Sequence, residues 1–110
     1  MVHDEKKIVA AFGQREKNTV PVTFMNEQGE TIFVSQFDLD DFYPDALHVR
    51  LLQGNFLRHY RFIDAFFTGL ALHLGKKRVT FCTVRRAVKK FGDKMGYGLN
   101  SFGDLEKAVA

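Results

Sequence analysis

Two β-branched and aromatic runs in the first third of the chain predict a β-hairpin. The segments Thr19 to Met25 and Thr31 to Phe37 are rich in Val, Thr, Ile and Phe, side chains that fit the pleated surface of a sheet. The polar residues 26–30 between them include an asparagine and a glycine, which favour a tight reversal of the chain. Pro21 has no N–H group for a sheet ladder, so the pattern places the first strand at a sheet edge.

The apolar spacing before this hairpin predicts a short helix at the N-terminus. Ile8, Ala11 and Phe12 are three and four residues apart, which puts them on one helical face. Asp4 in the first turn and Gly13 after the last are typical helix boundaries. So short a helix would depend on docking against the rest of the domain.

Residues 44–54 carry two competing patterns. A proline followed by Asp45, with a glycine at the far end, is typical of a helix running to Gln53. The alternation of Leu47 and Val49 with polar neighbours is typical of a strand. Both interpretations stay open at the level of sequence.

A long apolar stretch from Phe56 to Leu74 predicts the central helix of the domain. Apolar residues occur nearly all round it and leave a narrow polar stripe through Arg58, Arg61 and Thr68. A helix of this kind must be covered on most sides, either as a core helix or as a core helix that also forms a dimer seam.

A second helix, from Thr80 to Met95, is predicted to have a cationic outer face. Its apolar residues recur at spacings of three and four, which places them on one stripe, with basic residues opposite. Gly96 suits the left-handed conformation that ends a helix. Ala71, four residues before Gly75, resembles the close-packed turn of a helix-turn-helix, in which small residues let two helices approach.

The remaining residues complete an α+β interpretation of the chain. Ser101 to Asp104 resembles a capping box and predicts a short final helix to Val109, while Tyr97 is expected to pack on the domain. With 110 residues and no repeat or linker, residues 1–110 are expected to form one domain. The predicted fold is an α+β domain in which an N-terminal β-hairpin packs on a C-terminal helical unit, with a helix-turn-helix-like arrangement as one candidate.

Composition narrows the class of protein further. The single cysteine, Cys82, excludes an internal disulfide framework and a cysteine-based zinc site. Charged first residues and short apolar runs predict neither an export signal nor a membrane span, so we expect a cytoplasmic protein. No motif pairs a nucleophile with a base or surrounds a phosphate with glycines, and the histidines lack metal-ligand spacing. We therefore expect no catalysis, no metal and no cofactor.

Charge asymmetry is the strongest indication of function. Residues 75–98 contain eight basic residues and one acid, Asp93, so this stretch carries +7 while the whole chain carries +3. The other residues therefore sum to −4. Such asymmetry is the usual electrostatic footprint of a surface that meets a polyanion.

These features predict a small nucleic-acid-binding protein, with duplex DNA as the favoured ligand of the basic helix. Arg86 is expected to read a base edge, since a guanidinium binds guanine O6 and N7 in a bidentate manner. A homodimer is expected, because one short recognition helix reads few base pairs. The predicted contact residues are Lys76, Lys77, Arg78, Thr83, Arg85, Arg86, Lys89, Lys90 and Lys94.

Two alternatives to duplex DNA binding stay open. One is a non-catalytic interaction module, such as a small inhibitor or adaptor, whose basic helix docks on an acidic protein partner. The other is binding of RNA or single-stranded DNA, with Tyr97 or Tyr43 stacked on a base. The salt dependence of binding and the effect of Arg86→Ala on sequence preference separate these classes.

Overall fold

Seven strands form one mixed sheet in the computed structural model, which describes residues 7–39 and 43–109. The strands are β1 (Val9–Phe12), β2 (Thr19–Met25), β3 (Thr31–Asp38), β4 (Ala46–Gly54), β5 (Arg78–Phe81), β6 (Gly98–Leu99) and β7 (Leu105–Ala108), and the helices are α1 (Tyr60–His73) and α2 (Arg86–Met95). Their order across the sheet is β1-β2-β3-β4-β5-β7-β6. β4 and β5 are parallel, and every other neighbouring pair is antiparallel.

Both helices pack on the same face of the sheet. Phe67 of α1 and Phe91 of α2 contact the ring of Phe81 on β5, with ring centroids 5.8 Å and 4.9 Å away. α1 is also the crossover that this parallel pair requires, because parallel strands cannot be joined by a tight turn. Neither helix is long and apolar enough to cross a membrane.

Strand alternation sends one side of each central strand into a core beneath the helices. Phe24 of β2 stacks on Phe33 of β3 with 4.3 Å between ring centroids, and it meets Phe66 of α1 edge-on at 4.9 Å. Full burial of such a side chain contributes about 1.5–3 kcal/mol. The largest fully buried side chains are Phe24, Phe33, Phe56, Phe67, Phe81, Phe91, Leu47, Ile63, Val22, Val49, Val79 and Val88.

The two predicted hairpin strands are present as β2 and β3, but their place in the fold differs from the prediction. β2 lies between β1 and β3, so the prediction that Pro21 marks a sheet edge is wrong. Regular pairing with β1 stops at Val22, and the Pro21 carbonyl accepts a hydrogen bond from Gly13 N at 2.8 Å. Pro21 therefore lacks its N–H group on the side of β2 that faces β1, at the point where the ladder between these two strands ends.

Two predicted helices are strands in the structure. Val9–Phe12 forms β1, which pairs with β2 so that Ala10 lies opposite Phe24; the first part of that predicted helix, including Asp4, lies outside the described residues. Ser101 to Val109 contains β7, in which Leu105 pairs with Phe81 of β5. In both cases pairing with a neighbouring strand outweighs local helix signals. For residues 44–54, the strand interpretation is confirmed as β4.

The predicted C-terminal helical unit is wrong, and with it the helix-turn-helix arrangement. The core helix is confirmed but begins at Tyr60 rather than Phe56. The predicted helix from Thr80 begins at Arg86, because Arg78–Phe81 is a central strand. A strand thus separates α1 from α2, which a helix-turn-helix does not allow. Gly96 ends α2 in the left-handed region, with φ of 77°, as predicted.

Candidate active site

The two parallel strands separate at their carboxyl ends. Regular pairing runs from Ala46 opposite Arg78 to Val49 opposite Phe81, and one more backbone hydrogen bond joins Cys82 N to Val49 O at 3.0 Å. Beyond this point β4 continues to Gly54 beside β3 alone. In open sheets of this kind, ligands bind in the crevice outside the carboxyl ends of the strands.

A β-bulge in β4 lies beside the point of separation. Ser35 of β3 pairs with Leu51 and Val34 pairs with Gln53, so Leu52 is the extra residue in the ladder. A bulge bends its strand and increases the local twist. The bulge therefore helps to carry the end of β4 away from β5 and to open the crevice.

The crevice is apolar inside and basic at its rim. Its volume is about 430 Å³, within the usual range for a ligand pocket. Val84 is 89% exposed and Leu52 is 38% exposed, so both aliphatic side chains are open to a ligand. The lining residues are Arg50, Leu51, Leu52, Cys82, Val84 and Arg85.

The helices that follow the two strands start without the usual caps. His59 and Arg85 occupy the N-cap positions of α1 and α2, neither makes a side-chain capping bond, and neither first turn contains an acid. The start of α2 therefore has no side-chain cap, a situation that favours a bound anion. In the turn that leads into α1, Asn55 Oδ1 accepts a hydrogen bond from Arg58 N at 3.1 Å. Departures from such local helix-start preferences are expected at functional sites.

An imidazole lies behind the crevice, on the sheet face opposite the helices. His48 of β4 is in register with Thr80 of β5, and its Nδ1 is 2.7 Å from the Thr80 hydroxyl. Arg50, two residues further along β4, projects from the same face and lies 3.8 Å from Asp38. The half-buried His48 ring is thus held by Thr80 and also contacts Tyr43, with 5.3 Å between ring centroids. It lies two residues before the crevice residue Arg50 along β4.

A polar network occupies the same face near the amino ends of β4 and β5. Arg78 bridges two carboxylates, with Nη1 donating to Glu106 at 2.6 Å and Nη2 pairing with Asp45. The Arg78 hydrogen bond holds the pKa of Asp45 below its usual value. Burial raises the pKa of Tyr43, and the hydroxyl bond that Tyr43 donates to Asp104 at 2.7 Å raises it further.

The structure divides the nine predicted contact residues into separate groups. Lys76, Lys77 and Arg78 lie at the amino end of β5, and Arg78 is already paired with two carboxylates. Thr83 donates its hydroxyl to the Gly103 carbonyl at 2.6 Å. Near the last turn of α2, the Lys94 ammonium lies 5.2 Å from the centroid of the Tyr60 ring.

The largest group remains exposed near the crevice. It consists of Arg85, Arg86, Lys89 and Lys90, from the carboxyl end of β5 into the first turns of α2. Whether any of the nine side chains binds a ligand stays a prediction.

Sequence reasoning missed the apolar wall of the crevice and the His48–Thr80 pair. The available signal was the strand alternation of residues 46–51, followed by a long helix and a short β-branched run at residues 78–81. That order is a strand–helix–strand unit, which predicts a parallel pair and a crevice at its carboxyl ends. Tyr97 is buried between Phe81 and Phe91, as predicted, with ring centroids 5.4 Å away in each case.

No protein-family profile and no curated protein sequence matches the chain. Its fold is similar to solved acyltransferase structures. A cAMP-binding acyltransferase from Mycobacterium smegmatis aligns over 87% of this chain with a TM-score of 0.60 and 16% identity. A GNAT-family acetyltransferase from Staphylococcus aureus aligns over 86% with a TM-score of 0.66 and 5% identity. A spermidine N-acetyltransferase from Vibrio cholerae, in complex with CoA and spermine, aligns over 84% with a TM-score of 0.63 and 5% identity.

These neighbours establish a GNAT-like fold and correct three predictions. The chain spans 33% of the mycobacterial protein, 70% of the staphylococcal one and 66% of the Vibrio one. Because the matching proteins are acetyltransferases and acyltransferases, they contradict the predicted DNA-binding function, the alternative of a non-catalytic interaction module, and the expectation that the chain is not an enzyme. The predicted homodimer and the predicted acidic protein partner are not tested by them.

Proposed function

We propose that this chain is an acyltransferase domain that takes an acyl group from a pantetheine thioester, such as acyl-CoA, and passes it to a nucleophilic acceptor. The observation that carries the proposal is the apolar crevice between the separated ends of β4 and β5. It lies in a fold similar to that of acetyltransferases, one of which was solved with CoA.

The crevice suits the pantetheine arm of such a donor. The arm is a narrow chain of methylene and amide groups, and the crevice offers Leu51, Leu52 and Val84 as apolar contacts. Past Cys82, the edge of β4 that faced β5 makes no backbone hydrogen bond to the residues that follow β5 in the described chain. An extended ligand with amide groups can lie along an open strand edge of this kind.

The phosphate end of the donor would meet side chains rather than a glycine loop. Residues 55–59, between β4 and α1, contain no glycine, and Phe56 and His59 are buried there. Arg58 and Arg61 are exposed at the start of α1. Their guanidinium groups are suited to holding phosphate.

The residues around the crevice are suited to acyl transfer. A thioester supplies an acyl carbon that a nucleophile can attack, with the acceptor–carbon bond forming as the carbon–sulfur bond breaks and the sulfur leaves as thiolate. A proton must leave the acceptor, and His48 is the candidate to take it, because imidazole titrates near neutral pH. Its bond to Thr80 fixes the ring, and the cations Arg50 and Arg85 favour negative charge at the crevice.

Titration calorimetry with CoA and acetyl-CoA tests the binding step, and release of free thiol in the presence of a panel of amines tests the transfer. Leu52→Glu places a charge in the apolar crevice and should weaken CoA binding about 10–100-fold, the equivalent of losing one buried leucine contact. Leu72→Glu is the matched control, since Leu72 is also exposed but lies in the last turn of α1. Absence of CoA binding by the wild-type chain, or equal effects of the two substitutions, would contradict the proposal.

A further inference from the structure

We infer that the acyl donor reaches the crevice on the phosphopantetheine arm of an acidic carrier protein, which docks on the cationic face of α2. This face is formed by Arg85, Arg86, Lys89 and Lys90. The inference rests on the proposed acyltransferase function, because it requires a crevice that accepts a pantetheine arm.

The four side chains on this face are exposed, and the face carries a net positive charge even with Asp93 on the same helix. None of the four cations forms an ion pair with a side chain in residues 7–39 or 43–109. The cluster at the amino end of β5 differs, because Arg78 there is paired with Asp45 and Glu106. The α2 cationic face is therefore available to a partner of opposite charge.

The arrangement of the four cations opposes the stability of α2. Arg86 and Lys90 are four residues apart within α2, and like charges at this spacing repel each other on a helix, whereas Lys89 has the exposed Asp93 four residues after it. Arg85 and Arg86 also lie at the positive end of the helix dipole, where cations are disfavoured. Charged residues that lower the stability of their own helix are better explained by binding of a partner than by solubility.

The cationic face and the crevice are continuous. Arg85 belongs to both, and the exposed Val84 lies at the rim between them. A partner seated on α2 would place an arm from its surface directly at the crevice, with an apolar contact at Val84 and ion pairs around it. Interfaces commonly combine a central apolar contact with a charged rim in this way.

The extent of the cationic face favours a protein surface over the phosphates of a free nucleotide donor. Lys89 and Lys90 lie about one helical turn beyond the crevice rim, roughly 5 Å along the axis. The loop before α1, at residues 55–59, lacks the glycines that bring backbone N–H groups close to a diphosphate. A row of exposed cations along one helix instead matches a row of carboxylates on a partner helix.

Fluorescence anisotropy with a labelled acyl carrier protein tests the inference. The carrier is used in its apo form, without the arm, and in its holo form, with the phosphopantetheine arm. Wild-type chain should bind both forms, the holo form more tightly, and raising the salt concentration should weaken binding of both. Lys89→Glu/Lys90→Glu should weaken binding of both forms about tenfold.

Lys17→Glu/Lys77→Glu is the control variant. It has the same net charge but changes exposed lysines away from α2, so its carrier affinity should equal that of the wild type. Thermal unfolding of each variant confirms that it is folded. Equal weakening by the two double variants would overturn the inference, and so would equal affinity for apo and holo carrier.

A competing polyanion provides a further way to overturn the inference. Binding of a short DNA duplex as tight as that of holo carrier would show that the cationic face has no preference for a carrier. The proposed function is judged separately: CoA binding that Leu52→Glu weakens and Leu72→Glu does not would leave the acyltransferase proposal standing even if the carrier failed to bind.

Discussion

At the scale of single residues, the candidate site depends on groups whose neighbours restrict them. Gly54 ends β4 with φ of +125°, and a Cβ atom there would lie 2.4 Å from the Phe33 Cβ and 2.8 Å from its Cα. His48 is held by Thr80. Neither residue belongs to a recognisable motif, and the function of each follows from what lies next to it in the fold.

Gly54→Ala should destabilise the chain by about 2–4 kcal/mol, because alanine is strained at this φ and its methyl group overlaps the backbone of β3. Gly29→Ala is the control, since Gly29 also has positive φ, of +80°, but has open space around it. It should lose only about 1 kcal/mol. Urea denaturation measures both, and equal losses would show that crowding against Phe33 is unimportant.

His48→Gln should lower kcat about 10²-fold or more while KM changes little, if His48 takes the proton from the acceptor. Glutamine retains a group that can hydrogen-bond Thr80, so the strand pairing should be preserved. The readout that separates this role from a structural one is the pH–rate profile, which should lose its rising limb in the variant. An unchanged profile in the variant would exclude His48 as the base.

At the scale of secondary structure, the strand and helices around the crevice depart from the arrangements that usually stabilise such elements. β4 carries a bulge beside the point where β5 leaves it, and α1 and α2 both start without a capping side chain. The core under the two helices contains twelve large, fully buried side chains. Marginal stability is therefore concentrated where a ligand would bind, as is common at functional sites.

Arg85→Ser should stabilise α2, because serine at an N-cap accepts a hydrogen bond from a first-turn N–H group. The expected gain is about 1 kcal/mol in the free energy of unfolding. Since Arg85 also lines the crevice, the same variant should bind the acyl donor more weakly. Chemical denaturation and calorimetry on one preparation measure both effects, and a variant with better stability and unchanged binding would separate Arg85 from the site.

Tyr97 should make the stability of the chain sensitive to alkaline pH. Burial, and then the hydrogen bond that its hydroxyl donates to Asp64 at 2.7 Å, raise the pKa of Tyr97 well above its ordinary value of 10.0. The folded state therefore favours the neutral phenol. Its contribution is fully present below pH 10 and is lost as pH rises above that value, with a slope approaching about 1.4 kcal/mol per pH unit.

Tyr97→Phe isolates this effect. The variant loses the bond to Asp64, which Lys107 still contacts at 2.9 Å, and should be less stable than the wild type at pH 8. Between about pH 10 and 11.5 the difference should shrink, because the variant has no phenol at this position to ionise. Denaturation curves at successive pH values measure the difference, and a constant gap would contradict the assigned pKa direction.

At the scale of the whole molecule, the two ends of the parallel strands β4 and β5 differ in their chemistry. The cationic face of α2 lies at the carboxyl ends of β4 and β5, whereas the network of Arg78, Asp45 and Glu106 lies near their amino ends. The crevice opens beside the cationic face. Both proposals depend on this arrangement. The apolar crevice suits the pantetheine arm of a donor, and the charged surface beside it suits an acidic carrier.

The sequence by itself determined the features that depend on neighbouring residues. The residue patterns at 19–25 and 31–37 predicted β2 and β3. The apolar residues all round the next segment predicted α1 as a core helix, and Gly96 predicted the end of α2. The concentration of basic residues at 75–98 can also be counted along the chain, but their division between the amino end of β5 and α2 cannot. Periodicity and turn chemistry act over a few residues, so they can be read without the fold.

Only the tertiary structure decided which strands are neighbours, and therefore where the site is. Val9–Phe12 and Leu105–Ala108 become strands because paired partners accept their hydrogen bonds. The crevice exists because two strands separated by a helix in sequence are adjacent in the sheet and then diverge. Pairing between distant segments outweighs local preference whenever it buries more apolar surface, and no short window of the sequence contains that information.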